Sequence, residues 1–262
     1  MTRKIVIIGA GNVATHLAKA LIKEGYNLCQ IYSRSIESAR ELGMKTGVHY
    51  TTNIDDIYKQ ADIYIFSLSD SAIAGVAEKI SFENNPLLLH TAGSVSKEVL
   101  STFSKNYGVI YPLQTFSKQR ELNFREVPLC YDANSKSNTN IVENISTTLC
   151  DKTYHMGDEE RKKLHLAAVF ACNFSNYMYS LAEDVLDKNN IDFEIIKPLI
   201  QETAAKINDL SPKKAQTGPA IRNDKSTMNK HKELLGDNAE LKKLYTFISN
   251  NILKFKDKDG IF

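Results

Sequence analysis

Two histidines of this chain sit where an imidazole could exchange protons with a ligand. His90 closes the apolar run Leu87 to Leu89 and precedes Thr91-Ala92-Gly93-Ser94, a turn of small residues. An imidazole there can serve as general acid or base near neutral pH, or it can simply be hydrogen-bonded at a strand end. His165 belongs to a helical pattern, sharing a stripe with Val169, Cys172 and Asn176, with Asn173 to one side. His165 with Asn173 or Asn176 can line a cleft, the histidine moving a proton and Asn173 orienting a substrate. The plainer alternative is a buried polar group satisfied by backbone. Arg222 and Asp224 follow the Gly218-Pro219 turn, where the guanidinium suits a carboxylate or phosphate and Asp224 could orient it. An arginine–aspartate pair tying down a loop is an equally ordinary reading. Ser94 and Gln114 complete the set of candidate substrate contacts. The six histidines and four cysteines show neither C-x-x-C nor H-E-x-x-H spacing, so no metal site is expected.

The elements that must hold these residues follow from the hydrophobic pattern. Short apolar runs alternate with helical patterns up to about residue 155. Strands are expected at Lys4–Ile8, Asn27–Tyr32, Gly47–Tyr50, Asp62–Ser67, Leu87–His90, Val109–Tyr111, Pro128–Tyr131 and Lys152–His155. Helices fit 12–24, 35–44, 53–59, 71–80, 96–104 and 136–150. This alternation predicts a doubly wound, mostly parallel α/β sheet over 1–155. From Asp158, read as an N-cap, one long helix is expected to about Asp187, with further helices at 192–209, 226–235 and 237–255. The segment 156–262 is therefore expected to be an all-helical domain, ending in a solvated charged run from Lys254 to Asp259.

The first strand runs into Gly9-x-Gly11-x-x-Ala14 and then into an amphipathic helix. Strand, glycine turn and helix are the context of a dinucleotide-binding fingerprint. Gly9 allows the tight turn, Gly11 lets backbone approach a pyrophosphate, and Ala14 keeps the helix close to the sheet. Gly9, Gly11, Asn12 and Val13 would hold the pyrophosphate at the helix N-terminus. The second strand ends in Ser33-Arg34-Ser35, with no acidic residue before Glu37. A guanidinium between two hydroxyls suits a 2′-phosphate, which favours NADP(H) over NAD. Arg34 can also be a solvated loop residue, with Ser35 capping the next helix. Ser67-Leu68-Ser69 falls at a strand end where it can meet the cofactor. Asp70 reads first as a helix cap, and Tyr111 as a weaker site candidate than the histidines.

At 262 residues and 42% hydrophobic content, the chain can bury a core as one or two domains. A formal charge of +2 leaves no footprint for nucleic acid or an anionic membrane. Cys29, Cys130, Cys150 and Cys172 read as reduced core thiols. Met1-Thr2-Arg3-Lys4 and the apolar run after it resemble a signal peptide only as far as Gly9. Polar Asn12, His16 and Lys19 follow, so a cytoplasmic protein is expected. No stretch reaches the length of a membrane span.

Five stretches together carry a resemblance: G-A-G-N-V-A-T-H-L-A (9–18), L-H-T-A-G-S (89–94), P-L-Q-T-F (112–116), H-L-A-A-V-F-A-C-N-F (165–174) and T-G-P-A-I-R-N-D (217–224). The chain resembles the Rossmann-like family with a domain of unknown function 2520, grouped with NADP oxidoreductases. The resemblance implies a Rossmann domain, then a helical domain like that of 6-phosphogluconate dehydrogenase, and a homodimer formed through those helices. Many relatives have a histidine where this chain has Tyr111, and many read R-G-D where it has Arg222-Asn223-Asp224. The catalytic lysine of β-hydroxyacid dehydrogenases has no counterpart, since no lysine lies between Lys163 and Lys188. The expected function is hydride transfer between NADP(H) and a small carbonyl, imine or hydroxy substrate. A non-catalytic NADP(H)-binding sensor or scaffold is the alternative, and exchange with a deazaflavin has only superfamily analogy behind it.

Overall fold

Eight strands form one sheet in the order β3-β2-β1-β4-β5-β6-β7-β8. They are β1 (Lys4–Ile8), β2 (Asn27–Tyr32), β3 (Tyr50–Thr51), β4 (Ile63–Phe66), β5 (Leu87–His90), β6 (Asn106–Pro112), β7 (Leu129–Ala133) and β8 (Thr153–His155). The computed structural model describes residues 3–254. All but one of the charged positions expected over Lys254 to Asp259 therefore lie outside the described residues. Each strand expected from the sequence is present, with ends shifted by up to three residues, most at the starts of β3 and β6. Only β6 and β7 pair antiparallel, with Tyr111 opposite Cys130.

The alternation of side chains along the strands divides the core into two layers. Ile5 and Ile7 of β1, with Ile63, Ile65, Leu87 and Leu89, pack on one face beneath α1 (Asn12–Lys23), α2 (Ile36–Thr46) and, further along, α4 (Lys136–Leu149). Val6, Ile8, Tyr64, Phe66 and Leu88 face the other way, onto Ile73 and Ala77 of the short α3 (Ile73–Ala77) and onto Leu100. Near-continuous apolar strands are what a sheet covered on both faces requires. The expected helices at 53–59 and 96–104 are single tight turns, Ile54–Asp56 and Lys97–Leu100. Each is opened by a side chain that caps it, Asn53 and Ser96, and neither has enough apolar length to run further.

After β8 the chain is helical. The expected single helix is broken into α5 (Asp158–Ala168), a wide π-turn at Val169–Phe174, and α6 (Ser175–Asp187). Apolar periodicity carries no mark of that extra residue in the turn. Then follow α7 (Lys197–Ala205), α8 (Pro212–Ala215), α9 (Lys225–Leu234) and α10 (Ala239–Lys254). The sheet ends at His155, and the chain divides into compact units between Met178 and Tyr179. The first unit thus includes α5 and the π-turn as well as the sheet. No described helix is long and apolar enough to cross a membrane.

α5 is anchored to the sheet by polar contacts. Its N-cap is Gly157, one residue earlier than expected. The Asp158 carboxylate accepts from the Ser96 hydroxyl, the Lys97 N–H (3.3 Å) and Arg161 Nη2 (2.8 Å). Burial pushes that carboxyl up, but the bonds from Ser96, Arg161 and Lys97 outweigh it and hold it below the usual aspartate range. Arg161 is fully buried and also donates to the Val95 carbonyl. The loop after β5 and the first turns of α5 therefore share one charged knot, which points the next turn of α5 at the carboxyl ends of the strands.

Candidate active site

A cavity of about 890 Å³ opens at those carboxyl ends. Its wall is built from five segments of the first unit: Gly11–Val13, Ser67–Asp70, Thr91–Gly93, Tyr111–Phe116, and Leu164 to Asn173 across α5 and the π-turn. The strand order reverses between β1 and β4, and the loops after these two strands flank the cavity. Such a switch point is where open α/β sheets take ligands.

The glycine turn is shaped by its neighbour in the sheet. Gly9 has φ +122°, and a Cβ there would meet the Ser67 carbonyl oxygen at 2.1 Å. The glycine is thus required by close approach to β4. Gly11 meets nothing within 4 Å and stands at the N-cap of α1 without a side-chain cap. The first turn of α1 contains no acidic residue. Its N–H groups are thus free of a competing carboxylate, and Asn12 and Val13 border the cavity. These residues fit a pyrophosphate.

Beyond β2, Arg34 is exposed and makes no hydrogen bond or ion pair among the described residues. Ser35 caps α2 by accepting from the Ser38 N–H at 3.2 Å, and Ser33 accepts from the Ser35 N–H at 3.3 Å. The two serines therefore order the loop that carries the guanidinium. Ser67 is buried and accepts from the Thr91 hydroxyl at 3.3 Å, while Leu68 and Ser69 border the cavity.

The acid–base groups separate sharply. His90 is fully buried and is no part of the cavity wall. Its Nδ1 accepts from the Ala92 N–H at 3.2 Å, and its Nε2 has no partner. Burial, aided by the Arg161 charge, lowers its pKa to about 4, so the ring is neutral near pH 7. That corrects the expectation of His90 as a site acid: the strand that precedes it carries the ring into the core. His165 does line the cavity, half-buried, with Nδ1 3.0 Å from the Tyr111 hydroxyl. Burial raises the phenol's pKa to about 12, so Tyr111 keeps its proton near neutral pH. Asn173 borders the same cavity from the π-turn, together with Ala171 and Cys172. The wide turn brings three consecutive residues to one wall, a common use of π-bulges. Cys172, read as a core thiol, is exposed there.

The remaining candidates fall elsewhere or have other duties. Gln114 borders the cavity, but its Oε1 accepts from the Thr115 N–H at 2.8 Å within its own loop. Ser94 donates to Asp70 and is outside the wall. Asp70 makes no capping bond, contrary to its first reading, and the residue borders the cavity. Arg222 and Asp224 belong to the second unit. Asp224 caps α9 through the Thr227 N–H (3.0 Å) and hydroxyl (2.7 Å); these bonds hold its carboxyl below the usual aspartate range, and the Arg222 charge adds to them. Sequence reasoning undervalued Tyr111, Asp70 and Arg161. Tyr111 was visible as the residue standing in place of a histidine and Asp70 as the residue following a strand end, where a cap outweighs chemistry; Arg161 gave no signal beyond its type.

Residues 127–252 match the family model of the domain of unknown function DUF2520, and residues 4–92 match that of NADP oxidoreductase coenzyme F420-dependent. The crystal structure of a candidate NADP oxidoreductase from Bacteroides fragilis is similar over nearly the whole length, with 45% identity, 97% of this chain and 98% of that one covered, and a TM-score of 0.93. The chain belongs to this DUF2520 family of Rossmann-like proteins.

More distant likenesses carry the fold of the family alone. An imine reductase from Myxococcus stipitatus, solved in complex with NADP+, superposes with a TM-score of 0.65 at 17% identity, covering 97% of this chain and 93% of that one. The L-aspartate dehydrogenase of Methanocaldococcus jannaschii is 26% identical over 101 residues, which is 37% of this chain. The DUF2520 chain thus spans 38% of the length of that curated relative.

Proposed function

We propose that this protein is an NADP(H)-dependent oxidoreductase acting on a small carbonyl, imine or hydroxy substrate. The observation that carries the reading is the Tyr111–His165 pair standing in the wall of the same cavity that the α1 N-terminus enters. When bound, the nicotinamide supplies or accepts the hydride. The α1 N–H groups at Asn12 and Val13 hold the pyrophosphate, and Arg34, on the loop ordered by Ser33 and Ser35, meets the 2′-phosphate. Ser67, Leu68 and Ser69 line the path of the cofactor. Tyr111 gives or takes the proton at the reacting heteroatom, and His165 Nδ1 orients the phenol and shares its proton. Asn173 orients the substrate from the π-turn, and the apolar side chains of Leu113, Phe116 and Leu164 exclude water.

The name of the matched family model and the NADP+ bound to the imine reductase support a nicotinamide partner. A parallel titration of the nucleotide-free protein with NADPH, NADH and coenzyme F420 tests the reading. Tight binding of NADPH alone is the expected result. Preference for NADH would overturn the role of Arg34, and binding of F420 alone would overturn the nicotinamide chemistry.

The protein is further proposed to be a homodimer. Leu166, Phe170, Phe174 and Tyr177 recur at helical spacing and are 57%, 60%, 48% and 54% exposed. A stripe of that kind on one chain calls for a covering surface, and a second copy is the partner that the family resemblance implies. Light scattering on a sizing column is the check, with a monomer overturning the proposal.

A further inference from the structure

The charge of the cavity wall narrows the substrate. Among the described residues that border it, Asp70 is the only one with a formal charge at neutral pH, and no lysine or arginine is present. The other polar groups are neutral, among them the Ser69 and Thr91 hydroxyls and the Asn12 and Asn173 amides. We infer that the ligand taken beside the nicotinamide is a cation, an iminium ion or the ammonium of the corresponding amine, held by the Asp70 carboxylate. The inference rests on the oxidoreductase reading and names its substrate class.

Asp70 is set in place for this task. It begins the tight turn Asp70–Ala72 after β4, yet its side chain takes no part in capping that turn. The Ser94 hydroxyl donates to its Oδ2 from the loop after β5, so two strand-end loops fix the carboxylate. A carboxylate has room for about four hydrogen bonds, so one serine leaves acceptor capacity for a ligand. At the Tyr111 phenol burial is the main cause that holds the proton, and the Asp70 charge adds to it against the larger, opposing charge of buried Arg161. Asp70 and the Tyr111 proton donor border the same cavity.

The chemistry of a cation follows from that pairing. A nearby carboxylate favours the protonated form of an imine nitrogen, and the protonated imine is the electrophilic form. The iminium carbon gains a hydride from the reduced nicotinamide, which is oxidised. The C=N π pair becomes the nitrogen lone pair, and the neutral amine then takes a proton from Tyr111 or through it. A ketone would instead develop oxyanion charge beside Asp70, and a carboxylate substrate would meet like charge on entry.

The test uses the full chain loaded with NADP+ and three probes of similar ring size: pyrrolidine as its ammonium, cyclopentanol, and cyclopentanecarboxylate. Calorimetry is expected to give the ammonium an affinity at least about tenfold above the alcohol, with the carboxylate weakest. Asp70→Asn is expected to abolish that preference while its affinity for NADPH stays as in the parent. Stronger binding of the carboxylate would overturn the inference and favour an acid substrate instead. A preference that survives in Asp70→Asn, or no ammonium binding, would also overturn it. Loss of NADPH affinity in that variant would assign Asp70 to the cofactor instead. Failure of the parent protein to bind NADPH would overturn the oxidoreductase reading, which is read separately.

Discussion

The Tyr111 hydroxyl stands 3.0 Å from His165 Nδ1, joining the end of β6 to the last turn of α5. The rings meet nearly edge to face, with planes at 71°. The bond unites a residue of the sheet with one of the first long helix, and a phenol whose pKa burial raises to about 12 is held there as a donor. Tyr111→Phe keeps the packing and removes the hydroxyl. Turnover is expected to fall roughly 100-fold with little change in NADPH affinity, as for loss of a general acid. His165→Gln should cost a similar factor, and the double variant little more than either alone, since the two act as one unit. Steady-state kinetics and a cofactor titration check this together.

Gly93 leaves the space in which that pair meets. A Cβ at this position would stand 2.7 Å from both His165 Nδ1 and Tyr111 Cζ. Gly93→Ala must therefore push the two rings apart or shift the loop after β5. Turnover is expected to drop as far as in Tyr111→Phe, with a stability loss of about 1–3 kcal/mol from overpacking. Urea unfolding followed beside turnover separates the two effects.

His90 makes stability depend on pH. Its folded pKa of about 4 lies below the ordinary 6.5, so the unfolded chain binds the extra proton between those values. The stability linked to neutral His90 is fully present above pH 6.5 and is lost as pH falls toward 4. The loss is on the order of 3 kcal/mol for a ring so fully buried. His90→Asn keeps an acceptor for the Ala92 N–H and removes the titration. Urea midpoints measured across this window should slope less in the variant, and an unchanged slope would refute the assignment.

Arg34 is the simplest test of cofactor choice. Its guanidinium is exposed and unpaired among the described residues, so Arg34→Ala should leave the fold intact. NADPH affinity is expected to fall about 10- to 100-fold while NADH affinity is unchanged, because only the 2′-phosphate loses its partner. Equal losses for both nucleotides would place Arg34 away from that phosphate.

Much of this was legible along the chain because it depends on local rules. Ile5 to Ile8 alternate between two buried faces, and a run of β-branched residues has few other stable states than a covered strand. Gly9-x-Gly11-x-x-Ala14 marked the turn between β1 and α1, since strand, turn and helix occur within twenty residues. His165 and Asn173 were visible as polar breaks in an apolar helix, and both border the cavity.

Other features needed contacts between distant segments, which a sequence pattern does not record. His90 and His165 looked alike as candidates; the fold buries one and opens the other, and burial alone decides which can meet a ligand. The need for glycine at position 9 was legible, but its cause, the Ser67 carbonyl of the neighbouring strand, was not. Asp70 could be read as a cap until the loop after β5 supplied Ser94 as its partner. Arg161 drew no attention because buried charge is rare and its counter-charge Asp158 also looked like a cap. By itself, the sequence determined the strands, the glycine turn and the polar breaks, because each rests on neighbours in the chain. Only the tertiary structure decided which polar groups are desolvated, which are paired and which face the cavity, because those energies depend on contacts between residues far apart along the chain.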